Sequence, residues 1–173
     1  MNKKQINMLI FIAIVIWFTI ENINTSLTKN EYSQKISEYE VIKVIDGDTV
    51  SINISGEKKT LRLIGVDTPE TVHPNKPVEC FGIEASNYTK ELLSDEIISI
   101  EYDSSQGEVD KYGRTLVYII LPDGRNFNEV LIKEGYAYEY TYDNSYKYQK
   151  EFKDAEIYAK ENELGLWKEG VCE

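Results

Sequence analysis

The chain has 173 residues, enough for one domain with a short appendage. Hydrophobic residues make up 42% and charged residues 28%, the balance of an ordinary soluble globule rather than of a disordered chain. The net charge of −11 excludes a broadly basic surface, so a phosphate-bearing partner would have to be met by a local cluster of Lys and Arg on an acidic body.

In chain order, Lys3 and Lys4 precede an apolar run from Met8 to Ile20 in which only Thr19 is polar. A positive start followed by such a run reads as an export signal over residues 1–20. It is short for a membrane-spanning helix. No small-x-small cleavage site follows, so an uncleaved anchor through residues 8–20 is the alternative. Residues 21–37 are rich in Asn, Ser, Thr and Lys and read as a linker, which leaves 38–173 as the folded domain.

Within that domain Val41–Ile45 and Val50–Ile54 are β-branched runs around Asp46-Gly47-Asp48, and Ser55-Gly56-Glu57 is a turn. Thr60–Val66 reads as a third strand. Thr68 to Pro77 is a long loop broken by Pro69, Pro74 and Pro77. Phe81–Leu93 is a predicted helix with Ile83, Tyr88, Leu92 and Leu93 as its apolar stripe. Ile97–Tyr102 and Arg114–Leu121 complete five strands. Asn126–Lys133 and Tyr146–Glu161 are predicted helices, the first stopped by Gly135 and the second carrying Tyr148, Phe152, Ala155 and Tyr158 or Ala159 on one face. One helix after the third strand and two at the end give an α+β, mainly β fold: a five-stranded OB-type barrel with about three helices.

Three short segments carry chemistry. Asp48 and Asp67 fall at the ends of one predicted hairpin. With a carbonyl from Thr68-Pro69 they form an oxygen-only set suited to calcium or magnesium. The competing reading of Asp46-Gly47-Asp48 is an acidic turn without metal. Glu70, in the same loop, can accept a proton from an attacking water. Arg62 and Arg114 offer guanidinium forks for phosphate oxygens, and Lys111 and Tyr112 can hold a neighbouring phosphate. The only histidine, His73, reads as a loop residue, which excludes mechanisms built on two histidines. Cys80 and Cys172 lack metal-ligand spacing. In an oxidising compartment they can pair; otherwise they are two free thiols.

Taken together, Ile45-Asp46-Gly47-Asp48-Thr49, Leu61-Arg62-Leu63, Val66-Asp67-Thr68-Pro69-Glu70-Thr71, Phe81-Gly82-Ile83-Glu84-Ala85-Ser86, Asp110-Lys111-Tyr112-Gly113-Arg114 and Leu164-Gly165-Leu166-Trp167 resemble the thermonuclease family, the staphylococcal-nuclease type, from about Tyr39 to Trp167. The resemblance implies an OB-fold nuclease with calcium held by Asp48, Asp67 and the Thr68 carbonyl. It implies Glu70 as general base, with Arg62 and Arg114 on the scissile phosphate. Lys111 and Tyr112 match substrate-phosphate positions, and Tyr140 and Tyr142 fall beside the bound nucleotide. The implied reaction hydrolyses DNA or RNA with little sequence preference and leaves 3′-phosphate ends. The expected protein is a bacterial monomer, secreted or tethered to the outer face of the cytoplasmic membrane. The runner-up is a catalytically weak nuclease-like module that binds nucleic acid or protein. The acidic charge and the two cysteines depart from the familiar basic, secreted nuclease.

Overall fold

In the computed structural model, residues 14–17, 19, 21, 37–71 and 77–172 are described. The chain divides into two units, Met1–Ile36 and Ser37–Glu173. In the first, residues 14–17 are helical and their side chains are exposed. Apart from Thr19, Glu21 and Ser37, the rest of the expected export segment and of the linker lies outside the described residues, as do His73 and Pro74. No helix among the described residues is long and apolar enough to cross a membrane.

The described residues of the second unit form seven strands: β1 (Glu38–Asp46), β2 (Thr49–Ile54), β3 (Glu57–Leu63), β4 (Val66–Asp67), β5 (Ile97–Glu101), β6 (Thr115–Ile120) and β7 (Tyr138–Glu139). Five of them close into a barrel in the order β1-β2-β3-β6-β5, while β4 and β7 form a separate two-stranded ribbon. Barrel neighbours are antiparallel except β3 and β6, which run parallel with Arg62 opposite Leu116. This is the OB arrangement expected from the element order. The β2–β3 hairpin turns on two residues, Ser55 (φ 53°) and Gly56 (φ 89°). Positive φ at both positions matches the right-handed twist of the flanking strands, and the Asn53 side chain accepts a hydrogen bond from the Gly56 N–H at 2.8 Å. Alternation then sends Leu61 and Leu63 inward, with Val50, Ile52, Ile98, Val117 and Ile119. Burying one such side chain stabilises the fold by about 1.5–3 kcal/mol.

The third strand spans Glu57–Leu63 and so ends earlier than the expected Thr60–Val66. β3 stops at Leu63, the Ile64 N–H donates to the Val117 carbonyl at 3.0 Å, and the chain turns through Gly65. Asp67 therefore sits not on the hairpin but in β4, paired with Tyr138 of β7.

The helices are α1 (Gly82–Leu93), α2 (Phe127–Lys133) and α3 (Gln149–Glu161). The buried face of α1 differs from the expected stripe. It consists of Gly82, Ala85, Ser86, Thr89 and Leu93, and Ile83 is exposed. Tyr88 and Leu92 only pack against the core margin. Small residues are needed because α1 presses on the turn after β1, where the Thr89 hydroxyl donates to the Gly47 carbonyl at 2.7 Å. On α3 the buried residues are Phe152, Ala155 and Ala159, with Tyr158 outside. Asn128 of α2 is fully buried but satisfied: it accepts from the Ile119 N–H and donates to the Ile64 and Val117 carbonyls. It locks α2 to the parallel pair of strands. A disulfide joins Cys80 to Cys172, with Cα atoms 5.7 Å apart.

Candidate functional site

Asp48 stands at the end of the tight turn between β1 and β2, and it is buried. Its Oδ1 accepts from the Thr49 hydroxyl at 2.9 Å and its Oδ2 from the Thr68 N–H at 3.1 Å. The turn admits only glycine at its centre. A Cβ on Gly47 would come within 2.7 Å of the Thr68 side chain. The same approach lets the Thr68 N–H reach Asp48. Asp46, at the other end of the turn, accepts from the Gly47 N–H at 2.9 Å and the Thr71 hydroxyl at 2.6 Å.

Arg62, on β3, binds these elements together. Its Nη1 donates to the carbonyls of Leu63 and Val66 at 2.9 and 2.6 Å. Its Nη2 lies 3.0 Å from Asp67 Oδ1 and 3.2 Å from Asp48 Oδ2. One guanidinium nitrogen thus marks the point on which two carboxylates converge. Arg114 arrives from a different part of the chain. Parallel pairing of β3 with β6 sets Leu61 opposite Thr115, so the residue before Thr115 comes to the same barrel end. Arg114 Nε donates to Asp110 Oδ2 at 2.7 Å, and Nη1 donates to the Thr49 hydroxyl at 3.2 Å. Through Thr49 and Asp48 the two arginines belong to one connected set. Asp110 shapes the turn that presents Arg114. Its Oδ1 accepts from the N–H groups of Tyr112 and Arg114, and Gly113 supplies the positive φ of 79°. Burial pushes the Asp110 carboxyl up, but these donors and the guanidinium outweigh it and hold the group below the usual aspartate range.

Asp67 and Asp46 are shifted the opposite way. Burial raises Asp67, and although Arg62 opposes this, Asp48, Glu79 and Glu70 all push it further up. Half of the Asp67 side chain still meets solvent. Burial also raises Asp46; the Thr71 hydroxyl opposes the shift and the adjoining Glu70 carboxyl adds to it. The crowding is thus of negative charge around two converging carboxylates. Among the described residues there is no group of three or more His, Cys, Asp or Glu suited to a metal. Two carboxylates completed by backbone oxygen and water fit a hard divalent cation such as calcium, not a Cys/His-bound transition metal.

A cavity of about 450 Å³ opens beside this cluster, lined among others by Arg62, Asp67, Lys111, Tyr112, Arg114, Tyr140 and Tyr142. All four expected substrate residues meet there with both arginines. Asp48, Thr68 and Glu70 lie outside its lining. Tyr112 is widely exposed, with Lys111 Nζ 5.1 Å and Arg114 Cζ 5.3 Å from its ring centre. The lining holds Arg62, Lys111 and Arg114 together with Asp67, Asp110 and Asp143. Its side-chain charges therefore balance, where a positive patch is the expectation from sequence.

Sequence reasoning does not single out Thr49, which bridges Asp48 to Arg114, nor the roles of Asp46 and Asp110. The first two stand inside the Ile45–Thr49 motif and the third opens the Asp110–Arg114 motif; motif membership is the only signal that points to them. Nor does it find Ser105 and Gln106, which bond the carbonyls of Asn144 and Ser145 and so join the two loops that flank the cavity.

A family model described as "Staphylococcal nuclease homologue" matches residues 60–169. The chain is 47% identical to "Thermonuclease" of Staphylococcus hyicus over 130 residues, 75% of each protein. It is 41% identical over 161 residues to "Thermonuclease" of Staphylococcus intermedius, covering 92% of this chain and 94% of that one. "Endonuclease YncB" of Bacillus subtilis is 37% identical over 150 residues, 86% of this chain and 69% of the relative.

Proposed function

The chain belongs to the staphylococcal nuclease family and is a nuclease, a hydrolase of phosphodiester bonds; from that premise we propose that it is calcium-dependent, acts outside the cytoplasm on DNA and RNA, and leaves 3′-phosphate ends. The observation that carries the reading is the convergence of one connected set at one barrel end: Arg62 pairs with both Asp48 and Asp67, and Arg114 joins Asp48 through the Thr49 hydroxyl.

In the proposed arrangement Asp48, Asp67 and the Thr68 carbonyl hold calcium. Bound there, the ion supplies positive charge for a phosphate oxygen and acidity for water. The two guanidinium forks bind the non-bridging oxygens and stabilise the extra charge of the five-coordinate phosphorus. Glu70 takes a proton from the attacking water. A new P–O bond forms, the P–O5′ bond breaks, and the departing 5′-oxygen is protonated from solvent. Lys111 and Tyr112 hold the next phosphate. Tyr140 and Tyr142 stack on bases, which is tolerant of sequence. The balanced charge of the cavity supports the need for a cation in a chain this acidic, because claiming Asp67 leaves Arg62, Lys111 and Arg114 in excess. Lys3, Lys4 and the apolar run to Ile20 support export or anchoring, as does a disulfide-bonded body.

The test is cleavage of single-stranded DNA by the full chain with calcium and then with excess chelator. Calcium-dependent cleavage with 3′-phosphate ends is expected, and no cleavage under either condition over a broad pH range overturns the proposal. Glu70→Ala should lower kcat by about 10²–10⁴-fold with calcium binding retained; parental turnover would remove Glu70 from the base role.

A further inference from the structure

The catalytic assignment of Glu70 leaves open what keeps its backbone in place, since Glu70 belongs to an irregular segment rather than to a strand or helix. One residue from the far side of that segment grips it at two points. The Glu70 N–H donates to Glu79 Oε2 at 3.1 Å. The Glu79 N–H donates back to the Glu70 carbonyl at 2.9 Å. Glu79 therefore uses its side chain and its main chain on the same residue, closing a reciprocal pair.

Glu79 is itself fixed on three sides. Its carbonyl accepts from the Gly82 N–H at 3.1 Å, at the start of α1. Gly82 packs so closely on this segment that a Cβ there would lie 3.0 Å from the carbonyl oxygens of both Pro69 and Glu70. The next residue, Cys80, is covalently tied to Cys172, 92 positions on.

We infer that Glu79 is a positioning residue for Glu70, holding its backbone by the paired hydrogen bonds, and that the Cys80–Cys172 bond keeps Glu79 at that post. The role in turnover rests on Glu70 being the base; the grip itself does not. Glu79 makes no contact with the reacting atoms. Its effect should therefore fall on kcat more than on KM, because a misplaced base slows chemistry without weakening the phosphate contacts of Arg62, Lys111 and Arg114.

Two variants of the full chain separate the hydrogen bond from the charge. Glu79→Gln keeps an oxygen acceptor for the Glu70 N–H and loses the charge, whereas Glu79→Ala loses both. At saturating calcium, Glu79→Ala should lower kcat on the order of tenfold with KM within about twofold. Glu79→Gln should stay within about twofold of the parent. Reducing the disulfide with a thiol reductant should lower kcat in the parent, and Cys80→Ser/Cys172→Ser should match that lowered value and ignore the reductant. A Glu79→Ala protein with parental kcat overturns the inference. So does a Glu79→Gln protein as slow as Glu79→Ala, since that result assigns the effect to charge. Amide hydrogen exchange at Glu70 gives a readout independent of turnover. Faster exchange in Glu79→Ala upholds the grip even if Glu70→Ala proves active, an outcome that sinks only the base assignment. Unchanged exchange at Glu70 sinks the grip itself.

Discussion

Asp103 and Asp67 are aspartates of one small barrel, and the fold treats them in opposite ways. Asp103, two residues past β5, is surrounded by donors: the Lys147 N–H, the Ser105 N–H and hydroxyl, and the Tyr118 hydroxyl, all within 2.9 Å. Burial pushes it up, but these donors prevail and hold it below the ordinary range. The cost falls on Tyr118, whose hydroxyl is driven well above its usual value by burial and by Asp103. Asp67 has one cationic partner and three carboxylate neighbours, and it ends up raised. The first is a finished structural knot. The second keeps a single cationic partner, Arg62, amid neighbouring carboxylates. The cation proposed above would add its charge at Asp67, where carboxylates crowd, and not at Asp103, where donors already surround the carboxyl.

The comparison can be broken in three places. The largest effect is expected at the site end. Arg114→Lys should cost about 10²–10³-fold in kcat, since an ammonium cannot reproduce the fork, while the melting temperature moves little because the side chain is part-exposed. A melting point that falls along with activity would show that Arg114 is chiefly structural. Next is Asp103→Asn, which should destabilise the fold by about 2 kcal/mol by replacing a charged acceptor. The sign with pH follows from the depressed value. Asp103 contributes its stability in full above the ordinary aspartate value of 3.8, and this is lost as pH falls through its lower folded value. Asp110, lowered too, adds to the same slope. Denaturant titrations between neutral and acid pH should therefore show a flatter loss for Asp103→Asn than for the parent. The smallest effect has the opposite sign. Asp67→Asn should stabilise the calcium-free protein by less than about 1 kcal/mol, because the group is half exposed and screened, and should abolish the gain in stability on adding calcium. If it destabilises the metal-free protein instead, the Arg62–Asp67 pair outweighs the crowding.

Much of this was legible in sequence because it is local. The hairpin follows from β-branched runs on either side of Ser55-Gly56, and the candidate residues cluster in short motifs. Arg114 was not placeable by periodicity, since its position depends on β3 lying parallel to β6, and no neighbouring residue encodes a parallel pairing. The family resemblance bridged that gap. The inward face of α1 misled for a different reason. Apolar periodicity favours Ile83, but close packing on the 46–48 turn selects Ala85, Ser86 and Thr89, where shape and one hydroxyl bond matter more than hydrophobicity. Asp67 moved off the hairpin because Gly65 turns the chain sooner than a run of apolar residues implies.

The bond between Cys80 and Cys172 also changes what a protease can do to this molecule. All three helices, barrel strands β5 and β6, and the cavity-lining loops that carry Ser105, Lys111 and Tyr142 lie between the two cysteines. A single cut anywhere in that span leaves one covalent object, running whole on a non-reducing gel and separating only when a thiol is added. A nicked chain would thus keep Arg62 and Arg114 on the same molecule, and damage to a loop need not become loss of a fragment.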